Sequence, residues 1–126
     1  MAQQETESFT SRRRKVLVVE DDAASRRALV QLLQMSGFDV IMAGTLADAV
    51  TQLAHKPDFV LLDLMLPDGT GSSILSYVRQ NEIGARVAVT TGVGDWKSAL
   101  ADCEHTPDMV FTKPLDFDRV SQWLSV

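Results

Sequence analysis

Cysteine is almost missing from this chain of 126 residues: Cys103 stands alone. One thiol cannot close an internal disulfide, which sets aside the small cross-linked secreted scaffolds and fits a reducing cytoplasm. Cys103 lies in a helix-like stretch with no metal-ligand spacing around it, and reads as a small packing residue. Histidine is as sparse. His55 stands at a helix end before Pro57 and His105 in a loop, neither with a second His or Cys at ligand spacing, which argues against zinc. No apolar run approaches the ~20 residues of a membrane helix, and the N-terminus lacks a signal peptide's apolar stretch. The net charge of −5 argues against a general nucleic-acid binder and for good solubility. No internal repeat or low-complexity segment is present.

What is there has the balance of one ordinary globular domain, 45% apolar and 23% charged. Residues Met1 to Arg14 are polar and without period, and read as a flexible tail before a domain spanning 15–126. The run Arg12-Arg13-Arg14-Lys15 reads as a solvated flank to the first strand.

Five apolar, partly β-branched runs alternate with five helix-like segments. The first run, Val16 to Val19, ends in Glu20-Asp21-Asp22. Ala24, Ala28, Leu29, Leu32 and Leu33 follow at helical spacing, with Asp22 as cap and Gly37 as stop. Phe38 to Met42 is a second strand. Thr45 to Asp48 resembles a capping box, followed by a helix face of Leu46, Ala49, Val50 and Leu53. Phe59 to Leu62 suits a strand buried on both faces. It runs straight into Asp63, and Pro67-Asp68-Gly69 signals a turn. Ile74, Leu75 and Val78 mark a third helix, and Arg86 to Thr91 a fourth strand halted by Gly92 and Gly94. Asp95 is positioned to cap a short fourth helix bearing Trp96, Ala99, Leu100 and Cys103. Asp108 to Thr112 is a fifth strand ending at Lys113-Pro114. Phe117, Val120 and Leu124 mark a last helix, with Trp123 at its edge. This alternation predicts an α/β fold: a flavodoxin-like, doubly wound, five-stranded parallel sheet of order 2-1-3-4-5 with helices on both faces.

In such a sheet the carboxyl ends of the strands share one edge, where ligands bind. That edge gathers Glu20, Asp21 and Asp22 from the first strand, Asp63 from the third, Thr90 and Thr91 from the fourth and Lys113 from the fifth. Crowded carboxylates repel unless a cation joins them, and hard oxygens without His or thiolate select Mg²⁺ or Mn²⁺. A lysine and a hydroxyl facing a metal-bound carboxylate are the parts phosphoryl chemistry needs, with the carboxylate as nucleophile.

The stretches VLVVEDD (Val16 to Asp22), LLDLMLPDGTG (Leu61 to Gly71), VTTG (Val89 to Gly92) and FTKPL (Phe111 to Leu115) resemble the receiver domain of two-component response regulators. The resemblance runs from about Lys15 to the C-terminus. It implies that Asp63 accepts a phosphoryl group from a histidine kinase or phosphotransfer protein. Asp21 would bind Mg²⁺ directly, Glu20 through water, and the Met65 carbonyl would be a further ligand. Thr91 would be the switch hydroxyl, with Thr90 pointing away, and Lys113 would pair with the phosphoryl group across a cis Lys113-Pro114 bond. It further implies a cytoplasmic phosphoprotein that is not an enzyme beyond its own phosphorylation and dephosphorylation. The face of the fourth helix, fifth strand and fifth helix would reach an output domain or a second copy, with no membrane and no direct nucleic-acid contact. A single-domain regulator, a phosphorelay shuttle and a piece of a longer regulator all fit.

Two departures from the family pattern matter. Val110 stands where the family often has an inward-swinging aromatic, and Phe111 is one position off. Met65 and Val93, two beyond Asp63 and Thr91, are apolar and cannot orient water, which predicts a long-lived phosphoryl group. Three other readings compete. One is a phosphorylation-independent docking or dimerisation module, against which the intact acidic and lysine positions argue. A flavin binder needs a Ser/Thr/Gly-rich loop where this chain has carboxylates. An aspartyl-phosphate phosphatase needs a second Asp where this chain has Met65.

Overall fold

A computed structural model describes residues 13–92, 94, 96–101 and 103–125. Most of the expected tail, with Arg12, and the residues Val93 and Asp95 lie outside the described residues.

The elements alternate as the sequence predicts: β1 (Lys15–Val19), α1 (Ala23–Met35), β2 (Asp39–Ala43), α2 (Leu46–Gln52), β3 (Phe59–Asp63), α3 (Ser72–Gln80), β4 (Arg86–Thr91), α4 (Trp96–Ala99), β5 (Met109–Thr112) and α5 (Phe117–Leu124). The five strands form one parallel sheet of order β2-β1-β3-β4-β5. Local chemistry sets the helix ends. The Asp22 carboxylate accepts the Ser25 N–H at α1, and the Thr45 hydroxyl oxygen accepts the Asp48 N–H at α2. Gly37 leaves α1 at φ +95°, a conformation open to glycine.

Strand alternation divides the core. Leu17, Val19, Val60, Leu62 and Val87 face α2 and α3, meeting Ala49, Ile74, Leu75 and Val78. Val16, Val18, Phe59, Leu61, Ala88 and Phe111 face the other side and meet Val30, Leu33, Val120, Trp123 and Leu124 from α1 and α5. β3, at the centre, is buried at all five positions.

Four local readings change. Trp123 is core rather than edge: it is 5% exposed, edge-on to Phe59 at 5.3 Å and to Phe111 at 6.1 Å. The inward stripe of α1 is Val30 and Leu33 with part of Leu29, while Ala24, Ala28 and Leu32 are exposed. Val50 faces outward on α2. The α4 helix stops at Ala99, before Leu100 and Cys103, because i→i+3 bonds tighten the chain there: Ala101 N–H donates to Ser98 O and Cys103 N–H to Leu100 O. Cys103 is half-buried against the α2/α3 core, a packing residue as expected. Arg14 is tied to the fold, its Nη1 donating to the Leu124 carbonyl at 3.0 Å.

Candidate functional site

Glu20 continues β1 by one residue, its N–H donating to the Ala43 carbonyl at 3.0 Å. The four apolar residues before it, Val16 to Val19, drive that end into the core, so Glu20 is only 6% exposed. Asp63 closes β3 in the same way and is 5% exposed. Two carboxylates this dry need partners. Lys113 Nζ donates to both, at 2.7 Å to Glu20 Oε1 and 3.2 Å to Asp63 Oδ2. The second oxygens accept backbone donors: Asp22 N–H reaches Glu20 Oε2, and Met65 N–H reaches Asp63 Oδ1, both at 3.1 Å. Burial alone would lower the Lys113 pKa. The hydrogen bond to Glu20 and the charges of Asp63 and Glu20 outweigh it and hold the ammonium above its ordinary 10.5.

Asp21 is exposed beside this pair, and carboxylate oxygens of Glu20, Asp21 and Asp63 all lie within 4.8 Å of one another. The sequence reading is thus brought together at Glu20, Asp21, Asp63 and Lys113. Three carboxylates with no His or Cys make a hard oxygen set suited to Mg²⁺ or Mn²⁺. Met65 follows closely, itself 55% exposed. Asp22 serves as the α1 cap, and the Lys113-Pro114 bond is cis.

The two threonines divide differently from expectation. Asp63 and Thr90 are cross-strand partners in the β3–β4 register, so Thr90 shares Asp63's face of the sheet and is buried there. Thr91 ends β4 on the opposite face, and its carbonyl accepts the Lys113 N–H at 2.7 Å. Val110 shares that opposite face, half-buried and lining a hollow of about 500 Å³ with Trp96, Leu100, Cys103 and Met109. Phe111 points the other way, onto Trp123. Its offset by one residue is therefore an offset by one face.

Three residues make supporting contacts that the sequence reading missed. Asp68 reaches across to α2, accepting the Leu46 N–H at 2.8 Å and the Ala47 N–H at 3.2 Å. These bonds hold its carboxyl below the usual range. They staple the loop after Asp63 to a helix start more than a strand away. Within that loop Met65–Leu66 pairs antiparallel with Gly69–Thr70. Gly71 is packed so closely that a Cβ would strike the Asp63 carbonyl oxygen and the Leu64 backbone. Arg26 lies over the carbonyls of the acidic pair. Only the Pro67-Asp68-Gly69 turn left a trace in the sequence; the other contacts join residues whose spacing carries no period.

Beside Lys113 a groove of about 570 Å³ runs between α1 and α5, lined by Ala28, Leu29, Leu32, Leu115 and Phe117. No helix among the described residues is long and apolar enough to cross a membrane.

The chain is similar to known proteins over most of its length. The family described as the response regulator receiver domain matches residues 16–125. The luminescence regulatory protein LuxO of Vibrio campbellii is 33% identical over 104 residues, covering 82% of this chain and 23% of LuxO. The phosphate regulon transcriptional regulatory protein PhoB of Escherichia coli is also 33% identical over 104 residues, 80% of this chain and 45% of PhoB. The chain thus spans less than half the length of these relatives. Among solved structures, the signal receiver domain of the DNA-binding response regulator merR from Colwellia psychrerythraea 34H superposes with a TM-score of 0.76 at 27% identity. That match covers 89% of this chain and 95% of that one. With the sheet order, the acidic edge and a family match across nearly its whole length, the chain belongs to the response regulator receiver domains of two-component systems.

Proposed function

We propose that Asp63 is the phospho-acceptor and that its phosphorylation switches a partner surface. The observation that carries this reading is the Lys113 ammonium held between Asp63 and Glu20 at the open end of a buried strand. An oxygen of Asp63 attacks the phosphorus of a phosphohistidine. The P–N bond breaks, the imidazole leaves with its electron pair, and an acyl phosphate remains on Asp63. Lys113 stays beside the new phosphoryl oxygens and offsets their charge. Asp21 and Asp63, the Met65 carbonyl, and Glu20 through water are the groups that would hold Mg²⁺. When bound, the ion neutralises phosphoryl charge. The apolar groove of Ala28, Leu32 and Phe117 beside Lys113 offers landing ground for the histidine-bearing donor, a kinase or phosphotransfer protein.

The added charge draws the Thr91 hydroxyl, at the last position of β4, round the open end of the strand toward the phosphoryl group, and so repacks the α4–β5–α5 face. Val110 and Trp96 line the hollow that such repacking would change. An output domain or a second copy would read that face. LuxO and PhoB are regulatory proteins far longer than this chain, which supports placing the output beyond the receiver unit of residues 15–126. Met65 exposes an apolar side chain that cannot orient water, which supports a slowly hydrolysed acyl phosphate.

The test is intact mass after treatment with acetyl phosphate and Mg²⁺, for the wild type, for Asp63→Asn and without metal. One phosphoryl adduct, lost in both controls, is expected. A wild type that binds Mg²⁺ and takes no adduct would replace this reading with the phosphorylation-independent docking module.

A further inference from the structure

Arg26 leans back from the first turn of α1 over the loop that carries the acidic pair. Its Nη1 donates to the Glu20 carbonyl at 2.7 Å and to the Asp21 carbonyl at 3.3 Å. The same nitrogen lies 3.0 Å from where a Cβ on Gly44 would stand, so the bare glycine after β2 leaves the guanidinium its place. Among the described residues Arg26 forms no ion pair with the three carboxylates beside it. It is aimed at backbone instead.

That aim matters most for Asp21. Glu20 has Lys113 and the Asp22 N–H to orient its carboxylate, and Asp63 has Lys113 and the Met65 N–H. Among the described residues no hydrogen bond holds the Asp21 carboxylate, which is exposed. The direction in which it projects is therefore set by its own backbone, and Arg26 is the side chain that grips that backbone.

We propose that Arg26 is a positioning residue for the metal site: by clamping the carbonyls of Glu20 and Asp21 it fixes the backbone from which the ligand carboxylates project. This rests on reading Glu20, Asp21 and Asp63 as the Mg²⁺ site. Charge and position predict opposite signs here. As a bare charge, Arg26 repels Mg²⁺, and its removal would tighten binding. As a clamp, it organises the ligands, and its removal weakens binding.

The experiment is calorimetric titration of MgCl₂ into metal-free wild type, Arg26→Ala and Arg26→Lys, with far-UV circular dichroism and melting temperature recorded for each. Groups that hold metal ligands in place change affinity by about tenfold or more when removed. A rise of about tenfold in the Mg²⁺ Kd is expected for Arg26→Ala. Arg26→Lys keeps the charge but is shorter and ends in a hydrated, tetrahedral ammonium in place of the planar guanidinium whose Nη1 makes both contacts, and is expected to fall between the two. Should Arg26→Ala unfold, the Lys variant makes the same comparison at constant charge. Binding by Arg26→Ala as tight as wild type or tighter, or by Arg26→Lys as tight as wild type, would overturn the clamp. A flat titration in the wild type would remove the metal site itself, and the clamp with it.

Discussion

Replacing Lys113 with Met removes the cation between two carboxylates that are 6% and 5% exposed, while keeping a long side chain in place. Breaking a buried ion pair by deleting one partner costs about 3–5 kcal/mol. The Lys113 side chain is 32% exposed, so solvent screening brings the figure to roughly 1–3 kcal/mol. For 126 residues each kcal/mol moves Tm by about 3–6 °C, so Lys113→Met should melt roughly 3–18 °C below wild type at pH 7 in EDTA. The ammonium is held above its ordinary 10.5, so its stabilisation is complete below that pH and is lost as pH rises through the folded value. The gap between wild type and variant should close on that alkaline side. Mg²⁺ should narrow it at neutral pH, since a ligand at ten times its Kd stabilises by about 1.4 kcal/mol and the variant presents it with more unbalanced negative charge. Scanning calorimetry in EDTA and in Mg²⁺ reads all three effects. Equal melting of the two proteins in EDTA at pH 7, or a gap that Mg²⁺ widens, would refute the account of Lys113 as the cation these carboxylates require.

Gly71→Ala should cost about 2–4 kcal/mol in urea unfolding, because the new methyl meets backbone around Asp63 and Leu64 that cannot yield. Trp123→Ala should cost about 3–5 kcal/mol, but Trp123→Phe much less, since the indole N–H finds no hydrogen-bond partner among the described residues. Burial would raise the Asp108 pKa, but the Arg79 hydrogen bond and the Val87 N–H outweigh it and leave the carboxyl below its ordinary 3.8. Asp108→Asn should therefore cost about 1–2 kcal/mol at neutral pH, and the difference should vanish as pH falls below 3.8, followed by melting temperature against pH.

The framework was legible because each strand announces its end. Val16 to Val19 and Phe59 to Leu62 are apolar without a break and then meet a carboxylate, and a parallel sheet collects such ends on one edge. Asp22 and Thr45 were readable as caps because capping is a contact with the next few residues. Asp68 caps α2 as surely, yet its partners lie 21 and 22 residues back, where no local pattern reaches. Trp123 looked marginal because a short amphipathic helix does not reveal how deep its widest residue sits. Phe59 and Phe111, from two different strands, decide that. The placement of Thr90 and Thr91 turned on register, which shifts sides with every residue. Arg26 was hidden among ordinary helix-surface arginines, since its partners are carbonyls that every sequence has.

The burial of Trp123 also gives this protein a built-in optical contrast. The chain has two tryptophans. Trp123 is buried, its indole N–H without a hydrogen-bond partner among the described residues, on the α5 side of the sheet. Trp96 is half-exposed beside the hollow on the α4 side. A dry indole emits toward the blue and a wet one toward the red, so the fluorescence spectrum resolves the two faces of the sheet without any added label. A rearrangement confined to the Val110 side would move only the red component, while loosening of the Phe59–Phe111 stack would move the blue one.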